Sequence, residues 1–437
     1  MADPILASAI LFGGMFFALL AGAPIAIALG GLSVILVLVF WGANGMSMLA
    51  LRAFGTTSSF EYVAIPLFIF MAGMLERSGL AEGLFGSVNY LVRRIRGGLA
   101  VGVIIICTLF AAMSGISGAA TVAMGMLALP AMLSRGYSKD IALGSLAAGG
   151  SLGILIPPSV TMIVYGLVSN TSVGKLYAAG VLPGLVLAVL FIAYVLLRCR
   201  FQPGLAPTSE DIEAVEPPTL GQILGSLLPA LFLMFAVLGS ILLGLTSVSE
   251  SAAIGAIGSI LVAAAGKRLS FAVLNAVSHI TLKTTCLIFW IIIGASAFST
   301  LYTALGASGL IRDIVLGWEM NRYAVLALMM LILLIMGMFI ETVGIIMITV
   351  PVFLPIAKTL GFDPVWFGIL FIINMEIGFI TPPFGYNLFY LKGVAPKGVT
   401  MVDIYKSVIP FVGVMLLGMA LFVLLPQIIL MLPNAMF

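Results

Sequence analysis

A double proline in the middle of a long apolar run is a poor way to build a simple membrane anchor, and this chain does it twice. Gly153-Ile-Leu-Ile-Pro-Pro-Ser159 is followed 225 residues later by Gly378-Phe-Ile-Thr-Pro-Pro-Phe384. Proline removes a backbone donor and clashes with the preceding turn, at a cost of about 3 kcal/mol inside a helix. In hydrocarbon the freed carbonyls must then find protein, water or an ion. Two such breaks at one offset predict two discontinuous helices built to present backbone oxygens, with ion-coupled transport as the working function.

The setting is a bilayer. Of the 437 residues, 62% are hydrophobic and 8% charged, where a soluble domain carries about 25% charged residues. The first apolar segment lacks a basic leader and a small-residue cleavage site, so it reads as a retained span. Cys107, Cys199 and Cys286 lack metal-ligand spacing and read as packing residues. The single histidine, His279, argues against a histidine-based site and sits with Lys283 at the inner boundary as an anchor. There is no Walker loop, HExxH or nucleophile elbow, so the chain reads as no enzyme, and transport must draw on an ion gradient.

Spans are expected at 5–20, 24–41 and 62–76, with a polar patch from Arg52 to Ser59 and an interfacial helix at 79–92 closed by Arg93, Arg94 and Arg96. Residues 98–133 form two arms around the small-residue tip Ser114-Gly-Ile-Ser-Gly118. Each arm reaches about 24 Å at 1.5 Å per residue, short of a core about 30 Å thick, which predicts a re-entrant hairpin. The first broken helix covers 140–168 and a span follows at 175–197. Residues 201–220, with four prolines and the acids Glu210, Asp211, Glu213 and Glu216, read as a cytoplasmic connector between residues 1–200 and 221–437.

The second part repeats the order. Spans at 222–243, 246–265 and about 280–305 lead to an interfacial stretch at 308–318. A second hairpin at 323–357 has its tip at Glu341-Thr-Val-Gly344, and a second broken helix at 364–391 precedes a last span at 404–425. At the 225-residue offset Pro130 matches Pro355, Gly136 matches Gly361 and Tyr165 matches Tyr390. Five crossings per repeat force the second copy upside down, the inverted repeat of secondary transporters. Placing the 93–96 arginines inside puts 14 of the 19 basic residues on that side. This is the positive-inside asymmetry, and it predicts both termini outside.

In an inverted pair the hairpin tips meet near the midplane, beside the breaks. Carbonyls around a proline break suit sodium without burying charge, Gly153 and Gly378 allow close backbone approach, and Thr381 adds a hydroxyl. Half-helix N-termini near Pro158 and Pro383 suit an anionic substrate. Substrate candidates are Ser117, Ser159, Thr342 and Asn387, with Asn374 and Asn387 also readable as interhelical glue. Glu341 and Glu376 are the two carboxylates at depth, either coupling groups or packing groups.

The sequence resembles the large membrane subunit of tripartite ATP-independent periplasmic (TRAP) transporters. The resemblance rests on Ala64-Ile-Pro-Leu-Phe68, Ser78-Gly79, Met113-Ser-Gly-Ile-Ser-Gly118 and the two proline motifs, the second extending to Asn387. It implies an all-α polytopic membrane protein of the elevator type. Hairpins and broken helices would move, and the remaining spans would hold a scaffold. It implies symport in a bacterial inner membrane of a small organic acid with two or more sodium ions, together with a small membrane subunit and a periplasmic binding protein. No nucleic-acid partner is expected. By resemblance the sodium ligands carry to Ser114, Gly153, Ile156 and Pro158, and to Gly337, Gly378, Thr381 and Phe384, mostly through carbonyls. The alternatives are a proton-coupled or binding-protein-independent dicarboxylate transporter and, from another class, a non-transporting membrane scaffold.

Overall fold

The computed structural model describes residues 4–115, 117–207, 219–306, 309, 317 and 320–437, and among these every regular element is helical. Six of the helices are long and apolar enough to cross a membrane, or seven if 43–57 and 60–77, bent by 55°, form one span. The stretch 308–318 and the acids of the connector fall outside the described residues, apart from positions 309 and 317.

Both hairpins and both broken helices are present. The first hairpin pairs Gly98–Ser114 with Ser117–Ser134, and the second pairs Arg322–Gly337 with Thr342–Thr359. The first broken helix runs Lys139–Ser151 and, after Leu152–Ile154 and the prolines, resumes at Val160–Ser169. The second runs Pro364–Ile380 and resumes at Tyr386–Val394. Local signals repeat with the offset. Gly136 and Gly361 turn the chain at φ 81° and 77°, and Ser138 and Asp363 then cap the helices that follow. Both Pro-Pro bonds are cis.

Glycine decides which helices approach, as expected where lipid supplies no hydrophobic drive between helices. A Cβ on Gly144 would lie 2.4 Å from the Phe411 ring and 2.5 Å from Ser407 O, so helix Met401–Leu424 packs tightly along the first broken helix. Gly180 and Gly184 likewise bring helix Val173–Phe201 onto Met162 and Ile156. These last spans of each half therefore join the hairpins and broken helices in one body, contrary to the expectation that they belong to a scaffold. The second body is built from Ile25–Trp41, Ala64–Arg77, Val248–Ala265 and Phe271–Ala304. There a Cβ on Gly294 would fall 2.6 Å from Ala26 O.

Four boundaries differ from the sequence reading. The span expected from about 280 starts at Phe271, where Ser270 accepts from Val273 N at 3.2 Å, and runs 34 residues. The polar patch at Arg52 lies within helix Met46–Thr57, which corresponds at the same offset to the start of that long helix. The second tip turns at 338–341 rather than 341–344, because Glu341 is itself the cap of the following arm. A final helix, Gln427–Met436, was not anticipated.

Charged helix ends make two separate sets of contacts. In one, Arg96 donates to Pro203 O at 2.6 Å, Ser138 N to Leu205 O at 3.0 Å, and Lys139 pairs with Asp403 at 2.9 Å. In the other, Lys175, Asp363 and Phe437 share a recess and the Arg322 guanidinium lies 5.6 Å from the Phe362 ring centre.

Overpacking a filled contact costs about 1–3 kcal/mol. Gly144→Ala should therefore lower the unfolding midpoint of the purified protein in detergent. Gly413→Ala, on the helix packed against it but with nothing within 4 Å of the added methyl, should not. Equal midpoints would contradict this packing.

Candidate functional site

A helical carbonyl accepts from the amide four residues on. The amides due to serve Gly153 O and Ile154 O belong to Pro157 and Pro158, and those due to serve Gly378 O and Phe379 O belong to Pro382 and Pro383. Prolines have none. Ile154 O is recovered by the Ser159 hydroxyl at 2.6 Å, and Gly378 O by Thr381 N at 3.2 Å with one lone pair left over. The breaks thus release glycine carbonyls from their regular helical partners at equivalent points of the two halves.

Each break is met by the tip of its own hairpin. In the first half Gly115, held left-handed at φ 65°, accepts from Val160 N at 3.4 Å, and a Cβ on it would sit 2.4 Å from Pro158 O. In the second, Gly337 and Gly378 touch backbone to backbone. A Cβ on Gly378 would lie 2.8 Å from Gly337 Cα. Ser114 and Pro158 therefore lie at one locus, with 152–154 packed on the same hairpin arm, and Gly337, Gly378 and Thr381 at another. Thr381 donates its hydroxyl to Ile377 O at 2.6 Å, which leaves the oxygen lone pairs available to a cation. Ile156 is buried against Gly184 and reaches its locus only through the backbone. Phe384 is half exposed, its ring tilted over Phe339 of the second tip at 5.6 Å.

Crossed packing joins the halves: 160–169 lies on the second hairpin's 342–359, and 386–394 on the first hairpin's 117–134. At the crossing Ser151 Oγ lies 3.0 Å from Glu376 Oε1, a pair separated by the repeat offset of 225 and so related by the pseudo-twofold. The same oxygen lies 2.8 Å from Ala148 O. Glu376 is fully buried and its Oε2 has no partner.

The substrate candidates divide. Asn387 accepts from Thr121 at 2.6 Å and donates to Ala147 O at 2.8 Å, tying three elements together from a buried position. Asn374 donates to Met330 O at 2.6 Å. Ser159 caps its half-helix, accepting from Met162 N at 3.4 Å. The Glu341 carboxylate accepts from Val343 N at 3.0 Å and Gly344 N at 3.4 Å, so an acid of the chain occupies the helix end at the second tip. Thr342 is buried as the first residue of that arm, and Ser117 opens the second arm of the first hairpin. The end at Tyr386 differs. Gly385 provides no side-chain cap, and a cavity of ≈ 870 Å³ between the second tip and the other body reaches Tyr386 and Glu341.

Sequence reasoning missed Ser151 and Tyr405, whose hydroxyl donates to Pro383 O at 2.6 Å, and gave no role to Gly115 within the tip it singled out. Ser151 was within reach as the position equivalent to Glu376. Among the described residues no three His, Cys, Asp or Glu side chains converge. The carbonyl and hydroxyl donors at the breaks suit a hard cation.

The family profile for the tripartite ATP-independent periplasmic transporter, DctM component, matches residues 12–428. The chain is 35% identical over 412 residues to the C4-dicarboxylate TRAP transporter large permease protein DctM of Pseudomonas aeruginosa, covering 92% of this chain and 93% of that one. It is 30% identical to the ectoine TRAP transporter large permease protein TeaC of Halomonas elongata, covering 98% and 99%. It is 32% identical to the isethionate TRAP transporter permease protein DctMQ of Oleidesulfovibrio alaskensis, covering 96% of this chain and 65% of that longer one. In fold it is similar to the YdaH transporter of Alcanivorax borkumensis, with TM-score 0.68, 15% identity and coverage of 93% and 98%. The chain belongs to the DctM family, the large permease component of tripartite ATP-independent periplasmic transporters, a multi-pass membrane protein and not an enzyme.

Proposed function

We propose that this permease imports a small organic acid anion by sodium symport. The acid is delivered by a periplasmic binding protein, and a small membrane subunit completes the transporter. The observation that carries the reading is the close approach of a hairpin tip to each proline break, Gly115 to Pro158 in one half and Gly337 to Gly378 in the other. Each locus offers backbone and hydroxyl oxygens without a fixed negative charge, as a reversible sodium site requires. The uncapped helix end at Tyr386 supports a carboxylate or sulfonate near the second locus.

Division into two glycine-packed bodies supports an elevator, in which the hairpin body carries both loci across the membrane against the other. The face bearing Arg96, Arg200 and Lys139 is the cytoplasmic one in the bacterial inner membrane, with both termini periplasmic. Relatives named for a C4-dicarboxylate, isethionate and ectoine share this architecture. The substrate is therefore set by side chains around a common ion site.

Proton coupling has one specific observation behind it, the buried Glu376 beside Ser151. In our reading Glu376 is a neutral pin between the two broken helices. Glu376→Gln should then keep the flux and its pH profile within about twofold, whereas loss of coupled uptake would favour the proton reading.

In proteoliposomes holding the small subunit and supplied with binding protein, uptake should require a sodium gradient. Uptake driven by a proton gradient without sodium would contradict the proposal. Thr381→Ala should weaken the sodium dependence by about 10- to 100-fold, the range for loss of a supporting group at a metal site. An unchanged half-saturating sodium concentration would remove Thr381 from the site.

A further inference from the structure

At the foot of the first hairpin three arginines are brought together, and none of them makes an ion pair among the described residues. Gly97, at φ 77°, turns the chain from Arg96 into the hairpin, and a Cβ on it would lie 2.9 Å from Cys199 Sγ. That contact presses the turn onto the end of helix Val173–Phe201, whose last turn carries Arg198 and Arg200. Arg96 spends one terminal nitrogen on Pro203 O, but its Nε is buried without a partner, and so is Nε of Arg198. No ion pair among the described residues involves Arg96, Arg198 or Arg200. Asp140 shares the surroundings of Tyr194 with Arg198 without pairing to it. Between the turn and the helix end lies a recess of ≈ 500 Å³ lined by Ile95, Arg96, Leu196, Arg200 and Phe201.

The rim of this recess is apolar and outward-facing: Phe201 is 77% exposed, Leu197 55% and Ile95 44%. Guanidinium groups beside exposed apolar side chains, at the end of a membrane-crossing helix, fit a ligand that is anionic at its head and hydrocarbon below. A phosphodiester offers the fork of acceptors that guanidinium nitrogens match. We propose that this recess binds the headgroup phosphate of an anionic phospholipid, with its acyl chains laid along Leu197 and Phe201. A free phosphate would satisfy the arginines but leave the apolar rim in water, which favours the lipid. The site lies on the hairpin body, so an occupant would tie the base of that body to one leaflet.

The test is a titration of the full-length purified protein in uncharged detergent with a fluorescent phosphatidylglycerol, then competition by unlabelled lipids. Unlabelled phosphatidylglycerol should displace the probe, and phosphatidylcholine and inorganic phosphate at the same concentrations should not. A juxtamembrane arginine contributes about 1 kcal/mol toward an anionic surface. Arg200→Gln should therefore weaken binding about fivefold, and Arg96→Gln with Arg200→Gln about 25-fold. Arg200 is exposed, so the single variant leaves the fold unburdened, and Arg52→Gln, on helix Met46–Thr57 away from the recess, should match the wild type. Equal affinity in the Arg200→Gln variant, or displacement by phosphate alone, would overturn the proposal. So would lipid binding that appears only after Glu210, Asp211, Glu213 and Glu216 are changed to glutamine, because acids of the same chain would then be the occupant.

Discussion

Unmet backbone carbonyls in a low-dielectric slab are the constraint on which this architecture depends. Each pair of prolines deprives two carbonyls of the amides that a helix would supply. Left alone in hydrocarbon, such groups cost several kcal/mol each. The chain answers with a hairpin tip that comes up to each break, at Gly115 against Pro158 and at Gly337 against Gly378. Re-entrant segments are tolerable at that depth only because they are buried against the broken helices, and the breaks only because the tips cover them. Ser159 and Thr381 take up part of the remaining capacity. What is left is a set of oxygens that a cation can complete.

The same economy of small residues organises the larger structure. Gly144, Gly180 and Gly184 draw the closing spans of each half onto the broken helices, while Gly30 and Gly294 draw the other body together. Polar side chains then pin the inverted halves to each other. Asn387 reaches Thr121 and Ala147, and Glu376 reaches its own symmetry mate, Ser151. A mutation that strips one partner from such a buried pair leaves the other unsatisfied, at about 1–3 kcal/mol. The glycines and prolines that set the packing also shape the two breaks.

Much of this was legible in the sequence, because glycine, proline and capping residues carry local instructions. The hairpins, the breaks and the repeat could all be read from Gly136 and Gly361 and from the double prolines. Boundaries failed where a polar residue had two uses. Glu341 looked like the tip of the second hairpin and proved to be the cap of its second arm. The span expected from about 280 proved to begin at Phe271, so His279 lies on the exposed side of a long helix rather than at its start. At the site, glycines and prolines announced themselves, whereas the partners of Asn387 and Glu376 did not. Those contacts cross between halves, and a hydrogen bond between residues 225 or 266 positions apart leaves no local pattern. The affiliation of the closing spans was hidden for a similar reason, since Gly144 and Phe411 meet only in the fold.

The central claim is that the two breaks are two separate cation sites, each completed by its own hairpin. Equilibrium binding of radioactive sodium to the purified protein, without substrate, tests it most directly. The account predicts saturable binding of about two ions per chain, not displaced by potassium, with Gly153→Leu removing one ion and Thr381→Ala weakening the other. Binding that potassium displaces equally, or a stoichiometry that survives alteration of both breaks, would contradict it.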